Sequence, residues 1–139
     1  MSNNLKTILI ADDNTDLVNA LSIRCREMGL NVLSAYDGRG AIEQVLNQSV
    51  DLICLDVDMP NINGLSVCEA LSKDEEFSKT PVIILTGRKD DETIRRCGEM
   101  CAYYLNKSGD VWTRMKPVIY ELVDVEGSRS RVEEEVDRR

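Results

Sequence analysis

Four short apolar runs punctuate the chain: Thr7-Ile8-Leu9-Ile10-Ala11, Val32-Leu33-Ser34-Ala35, Leu52-Ile53-Cys54-Leu55 and Val82-Ile83-Ile84-Leu85. Near-continuous apolar runs of this length are the mark of strands covered on both faces. Ala102-Tyr103-Tyr104-Leu105 is a fifth candidate. The stretches between them carry apolar residues at helical spacing. Leu17, Leu21, Cys25 and Met28 line one face, and Gly29 follows as a C-terminal cap. Ala41, Ile42, Val45 and Leu46 form a second stripe. Leu65, Cys68 and Leu71 form a third, which starts after Gly64. Ile94, Cys97 and Met100 or Cys101 make a fourth. Val111, Met115, Ile119 and Leu122, with Val118 beside them, make a fifth. Pro117 falls within that last stripe. It predicts either a kink there or a helix that begins at Pro117 after a short turn.

Strand and helix thus alternate five times. That alternation predicts the α/β class: a parallel sheet built by right-handed crossovers, with helices on both faces. By analogy with the flavodoxin-like doubly wound arrangement, the expected strand order is 2-1-3-4-5 in a three-layer α/β/α stack. The pattern fades after Val125. Residues 126–139 read EGSRSRVEEEVDRR, with Val132 and Val136 as the only apolar positions. A charged tail or linker is expected there, after a single domain over residues 5–125.

Composition narrows the function classes. The chain has 139 residues and a formal net charge of −8, which weighs against nucleic acid as the direct ligand, since phosphate contacts need clustered Lys and Arg. No apolar run approaches the length that crosses a bilayer, and Met1-Ser2-Asn3-Asn4 lacks the order of a secretory signal. A cytoplasmic setting without membrane contact is therefore expected. The five cysteines, Cys25, Cys54, Cys68, Cys97 and Cys101, are an odd set without a C-x-x-C pair, and read as small buried hydrophobes. The chain contains no histidine, so a cysteine–histidine zinc site and histidine catalysis are both excluded.

In a doubly wound sheet the ligand site lies beyond the carboxyl ends of the strands. Asp12-Asp13 follow strand 1, Asp56 ends strand 3, Thr86-Gly87 end strand 4, and Asn106-Lys107-Ser108 end strand 5. Taken singly, each is ordinary: Asp-Asp-Asn before a helix is capping chemistry, and Thr-Gly is a turn. Together they place three carboxylates on one patch. Each close pair repels by roughly 1 kcal/mol even at water-like screening. Lys107 offers one compensating charge, and a divalent cation with hard oxygen ligands, Mg²⁺, suits the rest. Carboxylate, metal, hydroxyl and ammonium are the equipment for handling a phosphoryl group, and an aspartate can itself be the nucleophile. Gly87 leaves room beside Thr86.

These residues, with Met59-Pro60 and Gly64 behind Asp56, resemble the receiver domain of two-component response regulators, the CheY-like family, over about residues 5 to 125. The resemblance implies that Asp56 accepts phosphate from a phosphohistidine on a sensor histidine kinase or histidine phosphotransfer protein. It implies Mg²⁺ as cofactor, held directly by Asp13, Asp56 and the Asp58 backbone carbonyl, with Asp12 acting mainly through water. Thr86 and Lys107 would meet the phosphoryl group. Thr86 would shift toward it, and Tyr104, the switch aromatic, would turn inward, with Tyr103 on the opposite face. The surface of helix 4, strand 5 and helix 5 would then change for a downstream protein target or output domain. Such a protein catalyses only its own phosphorylation and dephosphorylation, and is expected as a monomer or a weak dimer through that surface.

The chain departs from the family pattern at several points. Ser108 replaces the proline that usually follows the lysine with a cis bond, a conformation that costs a non-proline residue about 2.5–4 kcal/mol. Asp58 places an extra carboxylate at the mouth of the site, and Arg88 could pair with it or cover the phosphate. Cys101-Ala102-Tyr103-Tyr104 lacks the acidic residues that pair across the dimers of DNA-binding regulators. Two other functions compete. One is a receiver fold used as a protein-interaction module without phosphorylation. The other is a haloacid-dehalogenase-type phosphohydrolase built on Asp56-Val57-Asp58, although Asp12-Asp13 precede that motif and little chain follows it. A flavodoxin would need a hydroxyl- and glycine-rich loop where Asp12-Asp13 stand.

Overall fold

The computed structural model describes residues 5–87, 89–100 and 102–123. The expectations for Arg88, Cys101, the domain boundary at residue 125 and the 126–139 tail lie outside the described residues. The elements alternate as β1 (Thr7–Ala11), α1 (Thr15–Glu27), β2 (Asn31–Ala35), α2 (Gly38–Asn47), β3 (Leu52–Asp56), α3 (Gly64–Ser72), β4 (Val82–Thr86), α4 (Asp91–Glu99), β5 (Tyr103–Asn106) and α5 (Val111–Leu122). All strand pairs are parallel and the order is β2-β1-β3-β4-β5.

The period-2 alternation of the strands divides the core into two layers. Ile8, Ile10, Leu52, Cys54, Ile83 and Leu85 pack against α1 and α5 through Val18, Leu21, Cys25, Val111, Met115 and Ile119. Leu9, Ala11, Ile53, Leu55, Val82 and Ile84 face the other way, onto Ala41, Val45, Leu65, Cys68, Leu71 and Cys97 of α2, α3 and α4. Strands β1, β3 and β4 are therefore covered on both sides, which is why they read as unbroken apolar runs.

Each helix starts on the same device. The side chains of Asn14, Asp37, Asn63, Asp90 and Asp110 accept from the backbone N–H three residues on, at Leu17, Gly40, Ser66, Thr93 and Thr113. Just beyond α1 and its C-cap Met28, the φ of +95° at Gly29 lets Leu30 N–H reach back to Cys25 O at 3.1 Å.

Three stripes differ from the sequence pattern. In α1, Val18 is fully buried while Leu17 only flanks the core. In α2, Leu46 is 64 % exposed while Ala41 and Val45 are buried and Ile42 flanks the core. In α4, Thr93 and Cys97 face inward and Ile94 lies outside, so the buried face includes a threonine that a search for apolar residues passes over. Helix α5 runs unbroken from Val111 across Pro117, so the alternative start at Pro117 is not adopted. Cys25, Cys54, Cys68 and Cys97 are buried free thiols. Burial pushes Cys25 up to about 12 and Cys68 to about 11, and it raises Cys54 and Cys97 as well, so all four are held as unreactive thiols. Among the described residues no helix is long and apolar enough to cross a membrane.

Glycine 64 fixes the entry to α3. A Cβ there would lie 2.1 Å from the Asp56 carbonyl oxygen, so only glycine lets α3 start against the end of β3. Gly64→Ala is expected to lower the unfolding free energy by about 2–3 kcal/mol or more through forced displacement of that backbone. Gly98→Ala, inside α4 with open space around it, should be neutral or stabilise by up to about 1 kcal/mol. Urea unfolding of the two variants checks both.

Candidate functional site

Parallel registration brings four strand ends level at one edge. Ala11 pairs with Leu55, Asp56 with Leu85, and Thr86 with Asn106. The residues just beyond or at these ends are Asp12, Asp13, Asp56, Thr86 and Lys107, all predicted site residues. Asp12, Asp56 and Thr86 are 1 %, 3 % and 0 % exposed, so each polar group sits where burial is costly without a partner.

For Asp12 and Asp56 the partner is the Lys107 ammonium. Its Nζ lies 2.8 Å from Asp12 Oδ2 and 3.2 Å from Asp56 Oδ1. The other Asp12 oxygen accepts from Asn14 N–H at 2.9 Å. Asn14 carries out the capping of α1, which leaves the two aspartates before it free for other work. Asp12, Asp13 and Asp56 each offer a carboxylate oxygen within 4.8 Å of the others. One ammonium among three carboxylates leaves the patch negative. Burial and the Asp12 carboxylate hold the Asp56 carboxyl up at about 6; Lys107 opposes this and Asp58 adds to it. Burial works against the charge on Lys107, but its bonds to Asp12 and Asp56 outweigh that and raise it.

The alternation of the strands assigns these side chains to two sides of the sheet. Asp12, Asp56 and Lys107 continue the rows of Ile10, Cys54 and Leu105, which face α1 and α5. Thr86 continues the row of Val82 and Ile84, which face α2, α3 and α4, and half-buried Tyr104 packs on that same layer. Tyr103 points away and is 39 % exposed. Tyr104 pairs in register with Ile84, so it stands diagonal to Thr86 on one face.

The turn carrying Lys107 forms without proline. Among the described residues no peptide bond is cis, so the Lys107–Ser108 bond is trans. Asn106 Oδ1 accepts from Ser108 N–H at 2.8 Å and from the Ser108 hydroxyl, and Arg114 Nη1 donates to Asn106 O at 3.2 Å. Lys107 N–H donates to Thr86 O at 2.9 Å, which extends the β4–β5 ladder up to the site. Gly109, with φ of +69°, completes the turn. Asp58 lies exposed on the loop after β3. Sequence reasoning missed two contributors: the Asn106 turn, and the contacts of Asp37 and Gly38 with that loop. The Pro60-Asn61 dipeptide is a sequence signal from which a tight turn in that loop could have been read.

The family profile described as response regulator receiver domain matches residues 8–111, most of the chain and every one of these site positions. The chain belongs to that family. Receiver domains are modules of two-component signalling rather than enzymes with an external substrate. Among curated relatives, response regulator ArlR of Staphylococcus saprophyticus is 35 % identical over 83 residues, which is 60 % of this chain and 36 % of that protein. The same figures hold for ArlR of Staphylococcus aureus, so the match takes in about a third of the relatives' own length. Among solved structures, chemotaxis protein CheY4 of Vibrio cholerae shares the fold at a TM-score of 0.77 and 24 % identity, over 86 % of this chain and 99 % of that one. Response regulator protein TrrA of Thermotoga maritima, solved in complex with Mg²⁺ and BeF, gives 0.76 and 25 %, over 86 % of this chain and 100 % of that one.

Receiver domains take Mg²⁺ at an acidic pocket, and the donors present here fit one. They are hard carboxylate oxygens brought together from three chain positions, and buried Asp12 Oδ2 has no hydrogen-bond partner beside its ionic contact with Lys107.

The raised Asp56 carboxyl has a signed consequence for the metal-free protein. Below about pH 4 the folded and unfolded chains both carry the proton, so the group is neutral to stability. Between about pH 4 and 6 the unfolded chain gives up the proton while the folded chain keeps it, so stability falls across that window and levels off once both are charged. Asp56→Asn is therefore expected to be more stable than the native protein at neutral pH in EDTA, by up to about 3 kcal/mol. The gap should close toward pH 4. Urea unfolding across this range checks it.

Proposed function

We propose that this receiver domain is a phosphorylation switch in which Asp56 is the acceptor and Asp12, Asp13, Asp56 and the Asp58 backbone carbonyl take Mg²⁺. The observation that carries the reading is the Lys107 ammonium held between the buried carboxylates of Asp12 and Asp56. An Asp56 carboxylate oxygen attacks the phosphorus of a phosphohistidine on a sensor histidine kinase or histidine phosphotransfer protein. The new P–O bond forms as the P–N bond breaks, and the imidazole nitrogen keeps the electron pair. Mg²⁺ held by Asp12, Asp13, Asp56 and the Asp58 backbone carbonyl would offset the negative charge of the phosphoryl oxygens.

The chain's own residues do the rest. Lys107 gives up part of its contact with Asp56 and donates to a phosphoryl oxygen instead. The Thr86 hydroxyl moves toward the same group from the opposite side of the sheet. Tyr104, diagonal to Thr86 on that side, follows into the space that Thr86 leaves. A phosphoryl group adds about −1.5 to −2 charge, so the arrangement in which Lys107 and Thr86 face it is favoured over the one without it. The α4, β5 and α5 surface then changes for a protein target or an output domain, with residues 5–125 as the switch and 126–139 as a charged tail or linker.

Incubation with Mg²⁺ and acetyl phosphate is expected to add one phosphoryl group, seen by intact mass, and Asp56→Asn should abolish it. An unmodified native protein that folds would sink the reading and leave the interaction-module alternative. Turnover of unrelated phosphate esters would instead favour a phosphohydrolase. Thr86→Ala is expected to accept phosphate at a rate within about threefold of the native protein, because Thr86 is not the nucleophile. The phosphorylation-dependent chemical shifts of Tyr104 should nevertheless be lost, read by NMR.

A further inference from the structure

The loop between β3 and α3 is tied to the start of α2, and the tie has no place in the reading above. The loop is wound in two three-residue turns. Met59 N–H donates to Val57 O at 3.2 Å around Asp58, and Ile62 N–H donates to Pro60 O at 2.9 Å around Asn61. Among the described residues Asn61 is the one non-glycine with positive φ, +71°. A three-residue turn of that hand is rare and strained, so something must hold it.

Asp37 does so. Its Oδ1 accepts from Gly40 N–H at 2.7 Å and caps α2, while its Oδ2 accepts from Asn61 Nδ2 at 2.8 Å. The next residue adds to the grip. Gly38 N–H donates to Pro60 O at 3.4 Å, and a Cβ on Gly38 would stand 1.9 Å from Ile62 O. On its other side the loop is closed by Gly64 N–H donating to Val57 O at 3.0 Å. Asp58 therefore sits between two anchored points. The Asp37–Asn61 bond is exposed to solvent, and such bonds add little to global stability. Its leverage is on where the loop lies.

We propose that Asp37 is a positioning residue for the metal pocket: through Asn61 it holds the Asp58 segment in the orientation that Mg²⁺ binding requires. This rests on the reading of the acidic cluster as a Mg²⁺ pocket. Groups that hydrogen-bond a metal ligand directly change affinity by about 10- to 100-fold when removed, and Asp37 acts one contact further out, which sets the expectation at the lower end.

Asp37→Ser separates the two duties of the residue. Serine still caps a helix but is too short to reach Asn61. Asn61→Gly keeps the positive φ and removes the other partner. Both are made in the full chain and titrated with Mg²⁺ by calorimetry. Each should weaken Mg²⁺ binding by roughly tenfold, and the double variant by no more than either single, because both delete the same contact. In EDTA, amide exchange at Ile62 and Gly64 should speed up several-fold in both, while the urea midpoint of Asp37→Ser stays near that of the native protein. Unchanged loop exchange overturns the proposal, and so does Mg²⁺ affinity within twofold of native in both single variants. If the native protein binds no Mg²⁺ the pocket reading fails; the exchange data then still decide whether Asp37 holds the loop.

Discussion

The arrangement depends on one ammonium. Lys107 sits 2.8 Å from Asp12 and 3.2 Å from Asp56, and those carboxylates are almost wholly buried. Without that charge the level ends of β1 and β3 would crowd carboxylates out of reach of water, a placement that desolvated carboxylates do not tolerate cheaply. With it, the patch is held together but not neutralised. That incomplete compensation leaves the patch negative, a charge state that suits a hard cation.

The sheet makes this possible through parallel registration. Each strand delivers its last residue to the same edge, and the crossover helices return the chain to the opposite edge to start again. Close backbone approaches keep the edge rigid. Gly64 lets α3 begin against the Asp56 carbonyl, and Gly38 lets α2 begin against Ile62. Asn106, not a proline, shapes the turn behind Lys107.

Much of this was legible in the sequence, for physical reasons. Buried parallel strands must be apolar throughout, so β1, β3 and β4 announced themselves as runs, and β1 was found at its observed limits. Polar residues interrupting such runs at their ends, Asp56 and Thr86 among them, were conspicuous for the same reason. Helix faces were less legible. Thr93 buries its methyl group in α4 while Ile94 lies in solvent, and Val18 displaces Leu17 in α1, because the surface a helix meets decides which of two adjacent residues is covered. The side-chain bonds that link Asp37 to Asn61 and Asn106 to Ser108 left almost no trace, since hydrogen-bonding pairs carry no periodicity.

The two-sided character of the site has a consequence at its rim. The groups that share charge, Asp12, Asp56 and Lys107, belong to the α1/α5 layer, whereas Thr86 and Tyr104 belong to the layer of α2, α3 and α4. The two sets meet at the rim, where the sheet stops separating them, so the rim is where polar groups rooted in both layers stand side by side.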